Sequence, residues 1–196
     1  MAINQNRIAI DFVTNEKIDV KFKKQESTKK ELILIAENKE NGKHSIYVKN
    51  KTTDSLQIFT QDWRLFLIQE AKDENGIWLP IEYWESSDCG NSYEFDKLKP
   101  KGMLKTLSVA YNGNFETEIR FKLLNDNKVY YSNSLRGKIN KEQFIVPDYL
   151  SQLWPLAIMT DKIPARIIHK VVFLEPNGVK DFNDLFENWI IKKRKN

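Results

Sequence analysis

The chain has 196 residues, 30% of them charged and 41% hydrophobic, enough to bury a core and too apolar for a disordered polymer. Its formal charge of +4 resides in Lys192, Lys193, Arg194 and Lys195, because without them 27 basic side chains face 27 acidic ones. That balance excludes a nucleic-acid footprint over the body of the chain, and no apolar run reaches the ~18–20 residues of a membrane-spanning helix.

Met1 and the residues after it lack the basic start and apolar stretch of a secretory signal. A cytoplasmic protein is therefore expected from the sequence as written, and a periplasmic or exported one if a leader has been removed. Cys89 is the single cysteine, so neither an internal disulfide nor a cysteine-based zinc site can be assembled within one chain.

In chain order, residues 7–12 alternate with Ile8, Ile10 and Phe12 on one face, and residues 17–22 do the same with Ile18, Val20 and Phe22. Together they predict an N-terminal β-ribbon, followed by a polar connector over 23–30. Strand signals then come at short intervals: 32–36, a turn at Asn41-Gly42, 44–49 and 56–60. Residues 63–70 and 77–84 are two apolar runs joined through Asn75-Gly76, a hairpin signature in which glycine supplies positive φ. The first run is apolar on both faces and needs cover on both sides. The second contains Pro80, which cannot donate to a ladder and belongs on an edge strand. After a small polar loop over 86–92, residues 103–111 form another strand. Thr117, Ile119, Phe121 and Leu123 then alternate inward against Glu118, Arg120 and Lys122.

This order of short strands and turns resembles an immunoglobulin-like or fibronectin-III-like β-sandwich over about residues 31–140, although Cys89 has no partner with which to form the antibody-type bridge. The expected class is therefore mainly β: an antiparallel immunoglobulin-like β-sandwich over 31–146, preceded by the ribbon and connector over 1–30. A C-terminal extension over 147–196 is expected to pack on it. In that extension, 147–155 suits one or two helical turns and 165–174 reads as a long apolar strand. Asp181 opens an amphipathic helix carrying Phe182, Leu185, Phe186, Trp189 and Ile190 on one stripe.

Candidate chemistry is sparse. His44 opens a strand and His169 alternates with core-facing Ile167 and Val171, and both read as structural. There is no nucleophile elbow, phosphate loop or metal constellation, so no catalytic residue, metal or cofactor is expected. Glu82, Glu85 and Asp88 lie among Trp78, Tyr83 and Trp84, a grouping that a carbohydrate-active enzyme could use, with Glu82 and Glu85 as acid and base. If Ile77, Leu79, Ile81 and Tyr83 face the core, Trp78, Glu82 and Trp84 face outward. There they would form a binding surface for a protein or carbohydrate, unless the ribbon or the C-terminal helix covers them. The expectation is a non-catalytic module that recognises another macromolecule through a sandwich surface or edge strand. Its alternatives are the Glu82/Glu85 enzyme and a structural subunit of a larger assembly. A protein partner is expected, with no nucleic acid and no membrane insertion.

Overall fold

The computed structural model describes residues 1–3, 7–9, 16–24, 30–39, 42–159 and 162–195. Its strands are β1 (Ala2–Ile3), β2 (Arg7–Ala9), β3 (Leu32–Lys39), β4 (Lys43–Asn50), β5 (Leu56–Gln61), β6 (Arg64–Leu65) and β7 (Leu67–Lys72). They continue with β8 (Trp78–Pro80), β9 (Glu82–Tyr83), β10 (Tyr93–Leu98), β11 (Met103–Val109), β12 (Phe115–Asn125), β13 (Lys128–Tyr131) and β14 (Leu135–Ile139). The helices are α1 (Glu16–Lys24), α2 (Ala165–Val172) and α3 (Gly178–Lys195). No helix among the described residues is long and apolar enough to cross a membrane.

One sheet runs β2-β11-β4-β3 and another β13-β12-β7-β8, with β14 also paired to β12. A smaller sheet runs β10-β5-β6, and β1 lies parallel to β9. All the pairs within the three larger sheets are antiparallel. Leu32, Leu34 and Ala36 of β3 and Ile46 and Val48 of β4 share one buried cluster with Leu67 of β7 and Phe121 and Leu123 of β12. Two antiparallel sheets thus turn alternate side chains into a common core, an arrangement compatible with a β-sandwich.

The expected alternation on β12 holds inward, with Ile119, Phe121 and Leu123 all buried. Its outward side chains are less exposed than alternation alone implies. Arg120 is half-buried on Glu70 at 2.6 Å, and Lys122 is buried, paired with Glu175 and 3.9 Å from Glu70. Here the outer face is covered by the C-terminal segment.

The first apolar run of the expected hairpin divides. Residues 64–65 pair with β5, Trp63 stands exposed with φ 63°, and residues 67–72 join β12 and β8 in another sheet. The turn itself is as expected: Gly76 has φ 76°, and Asp73 Oδ1 accepts hydrogen bonds from the backbone N–H groups of Asn75 and Ile77. Pro80 does lie on the terminal strand of its sheet.

Two strand expectations are corrected to helices. Residues 17–22 lie in α1, where Ile18 and Phe22 are buried four residues apart and Val20 is 53% exposed. A strand would have put all three on one side; the helix puts two onto Ile33, Ile35, Tyr47 and Met103, on the outer face of the β3–β4 sheet. Among the described residues the two segments do not pair as a ribbon: β2 pairs with β11, and residues 10–15 lie outside the described residues. Residues 165–172 likewise give α2, which follows Pro164 and ends at Val172, shortly before Leu174 with φ 53°. Ile167 and Val171 lie four apart on its buried face, while His169 is exposed. A β-branched run can take either form, and burial on one helical face decides it. The turn into α3 needs Gly178, where an added Cβ would stand 2.5 Å from the Lys170 carbonyl oxygen.

Phe121 occupies the middle of the shared core with no exposure. Phe121→Ala is expected to cost about 3–5 kcal/mol, measured by urea denaturation at constant m-value.

Candidate functional site

The three sequence-predicted binding residues lie in three different surroundings. Trp78 is half-buried on β8, on the outer face of its sheet. The Arg120 guanidinium lies 4.4 Å from its ring centre and 3.9 Å from that of Tyr131. Trp78 thus belongs to a stack with Arg120 and Tyr131, closed by the Arg120–Glu70 ion pair.

Trp84 is buried, and it is the C-terminal segment that covers it. It follows β9 as the chain leaves the sheet, and its backbone N–H donates to the Val172 carbonyl at 2.7 Å. Its indole Nε1 donates to Gln61 Oε1 at 3.1 Å, and its ring packs on Phe66 at 4.9 Å. Cover comes from α2 and the segment before it, which join Ile68, Tyr83 and Trp84 in one cluster with Leu156, Ile167 and Val171. Phe182 is buried in the same cluster, and Leu185, Phe186 and Trp189 pack against it. These residues of the C-terminal stripe thus share the cluster with Ile68, Tyr83 and Trp84.

That cover is incomplete, leaving a groove of about 440 Å³ between the β5–β10 sheet and the α2–α3 turn. Phe59, Phe66, Trp84, Tyr93, Phe95 and Leu174 supply its aromatic and apolar lining. Phe59 and Phe95 are direct cross-strand partners 6.1 Å apart, and Tyr93 stacks on Phe66 at 6.4 Å. Tyr93 and Phe95 remain 44% and 51% exposed, on the terminal strand β10. Two ion pairs, Lys170–Asp181 and Lys122–Glu175, mark the helical side.

Glu82 lies elsewhere and is buried, contrary to an outward placement. Its Oε2 accepts the Gln69 backbone N–H at 2.9 Å; its Oε1 accepts the Gln69 side-chain amide at 2.9 Å and the Tyr111 hydroxyl at 2.8 Å. The same amide nitrogen also reaches Ser108 Oγ and the Val109 carbonyl, at 2.9 and 2.8 Å, linking β7 to β11 across the interior. Burial, reinforced by the Glu82 carboxylate, pushes the Tyr111 phenol well above its usual range. His44, paired with Ser108 in register, stands beside this network with its ring edge-on to Phe121.

Glu85 is exposed whereas Glu82 is enclosed, so the two do not stand as a carboxylate pair in one cleft. Cys89 and His169 are exposed, as are Lys192, Lys193 and Arg194. No cluster of three or more metal-ligating side chains occurs among the described residues. Sequence reasoning passed over Gln69, Ser108 and Phe95. The first two carried a signal, since each is polar at a position whose parity is inward.

No protein-family model, curated protein or solved structure matches the chain.

Two outcomes follow. Burial lowers the His44 pKa below its ordinary 6.5, so the unfolded state takes a proton that the folded state resists, and stability falls as pH drops below 6.5. His44→Phe is expected to flatten that decline in denaturation midpoints measured between pH 7 and 5. Ending the chain before α3 uncovers part of the Trp84 cluster, lowering the Tm and raising ANS fluorescence.

Proposed function

We propose that the protein is a non-catalytic binding module, built on an immunoglobulin-like β-sandwich, whose working surface is the aromatic groove beside β10. The observation that carries this reading is the coincidence of an exposed aromatic face with a sheet edge that has no partner among the described residues. Natural edge strands are usually blunted by charge, proline or cover. β10 does carry Glu94, Asp96 and Lys97, yet its Tyr93 and Phe95 are half-exposed over an apolar groove. An extended segment of a protein partner suits both features. Its backbone adds to the free edge, and its apolar side chains reach the aromatic lining. Large aromatic side chains around a partly desolvated depression are the composition of a binding hot spot.

Phe95→Asp places a charge on the groove at a half-exposed position, so the fold should tolerate it. Partner capture by the full chain from a source lysate is expected to weaken by about 30-fold or more, the effect of losing ~2 kcal/mol at a hot spot. Trp63→Asp, at an equally exposed tryptophan outside the groove, is expected to leave capture unchanged. Equal loss in both variants, or in neither, would remove the groove as the binding surface.

A further inference from the structure

The open edge of β10 has a defined hydrogen-bonding phase. In an antiparallel pair, directly opposed residues alternate between exchanging both backbone hydrogen bonds and exchanging none. The Phe59 N–H donates to Asn125 Oδ1 at 2.9 Å, and the Gln57 carbonyl accepts from Asn125 Nδ2 at 3.0 Å. The odd-numbered residues of β5 thus turn their backbone away from β10. The Asp62 N–H, donating to the Ser92 carbonyl at 2.8 Å, fixes the same phase. By register, Glu94, Asp96 and Leu98 therefore bond β5, opposite Thr60, Ile58 and Leu56. Tyr93, Phe95 and Lys97 turn their N–H and C=O groups to the open side, where no further strand lies among the described residues.

Other strand margins are closed by side chains. Asn133 stands in for a neighbouring strand at Ala36 of β3, its Oδ1 accepting the N–H at 2.9 Å and its Nδ2 donating to the carbonyl at 3.0 Å. Asn125 does the same for β5, and Pro80 removes a donor from β8. What β10 carries is charge, and that charge has a sign and a face. Alternation puts Tyr93 and Phe95 on the groove side and Glu94 and Asp96 on the other. The ion pairs Lys170–Asp181 and Lys122–Glu175 at the groove are each neutral. Glu94 and Asp96, with Asp126 on the groove wall, stand outside those pairs. Asp62 and Asp88 add to the negative surroundings of the Tyr93 hydroxyl, whose pKa burial already raises. The cations nearby are fewer. Lys97 is the single one on β10 and lies past the lining residues, and Arg64, 4.9 Å from the Trp84 ring centre, is not a lining residue.

We infer that the occupant of the groove is a basic extended segment of a different protein, in which lysine or arginine alternates with apolar side chains. This rests on the groove being the working surface. Paired with the open side of β10, such a strand lays its apolar set beside Tyr93 and Phe95 and its cations beside Glu94 and Asp96. A second copy of this chain is disfavoured by the same carboxylates. In an antiparallel pairing of two β10 strands centred on Phe95, each Glu94 stands opposite Asp96 of the second copy. Centred on Glu94 or on Asp96, that residue stands opposite itself. Like charges directly opposed destabilise a strand pair. Two side chains thus act against self-association and in favour of a cationic strand, which is how an interface sets specificity.

The test is an amide NMR titration of the ¹⁵N-labelled full chain with three acetylated, amidated heptapeptides. In one valine and lysine alternate, in another valine and glutamate alternate, and in the third valine and lysine stand in two blocks. The alternating valine–lysine peptide is expected to give saturable shifts at the Tyr93, Phe95 and Lys97 amides and to slow their hydrogen exchange. Its affinity should exceed that of the other two at least ~tenfold. Glu94→Lys combined with Asp96→Lys, neither position being buried, should reverse the order of the two alternating peptides. Equal binding of those two at the β10 amides, an order that the double variant leaves unchanged, or equal binding of the block peptide overturns the inference and leaves the groove standing as a binding surface. No saturable binding of any peptide, or shifts centred away from β10, overturns it too. The comparison of Phe95→Asp with Trp63→Asp then decides separately whether the groove binds a partner at all. A chain that dimerises alone, with the three amides protected before peptide is added, assigns the edge to a second copy and equally overturns the inference.

Discussion

The structure depends on strands that are apolar on both faces. Leu67 and Ala71 of β7 enter the interior while Ile68 points the other way, and Leu32 and Leu34 of β3 enter while Ile33 and Ile35 point out. Each outward set must be removed from water, at roughly 25 cal/mol for every Å² of apolar surface. Helix α1 does this for β3 and the C-terminal segment does it for β7. Covering β7 also draws charged neighbours out of water, so Lys122 and Glu70 survive only as members of an ion-pair set with Arg120 and Glu175. The backbone bond from Trp84 to Val172 joins that cover directly to the sheet.

The aromatic groove lies where burial stops. The C-terminal cover closes over Trp84 but does not extend across Tyr93 and Phe95, and the aromatic groove is what remains between α2 and β10. The apolar interior likewise gives way to His44, Ser108 and Gln69, where two polar atoms are left unmet.

Much of the β framework was legible because alternation is a one-dimensional signal. Ile119, Phe121 and Leu123 face inward with Arg120 opposite, Gly76 turns the hairpin, and Pro80 sits at an edge, each for a reason contained within a few residues. The C-terminal stripe from Phe182 to Trp189 was legible for the same reason, since its spacing follows the helical period. The two misread helices show the limit. In 17–22 and 165–174 an alternating or continuous β-branched pattern fits a strand as well as a helix over so few residues.

By itself the sequence determined that the chain is mainly β and antiparallel, which positions turn, which strand is an edge and which helix must dock, because all of these follow from local backbone preference and side-chain period. The tertiary structure alone decided that α1 and α2 are helices, that the run after Trp63 crosses between sheets, and that Trp78, Glu82 and Trp84 separate into a surface stack, a buried network and a groove floor. Those outcomes depend on which surface each residue is pressed against. Trp84 and Glu82 are neighbours along the chain, yet one is held by Gln61 and Val172 and the other by Gln69 and Tyr111. Such partners are distant in sequence, and only the packing of covers onto sheets brings them together.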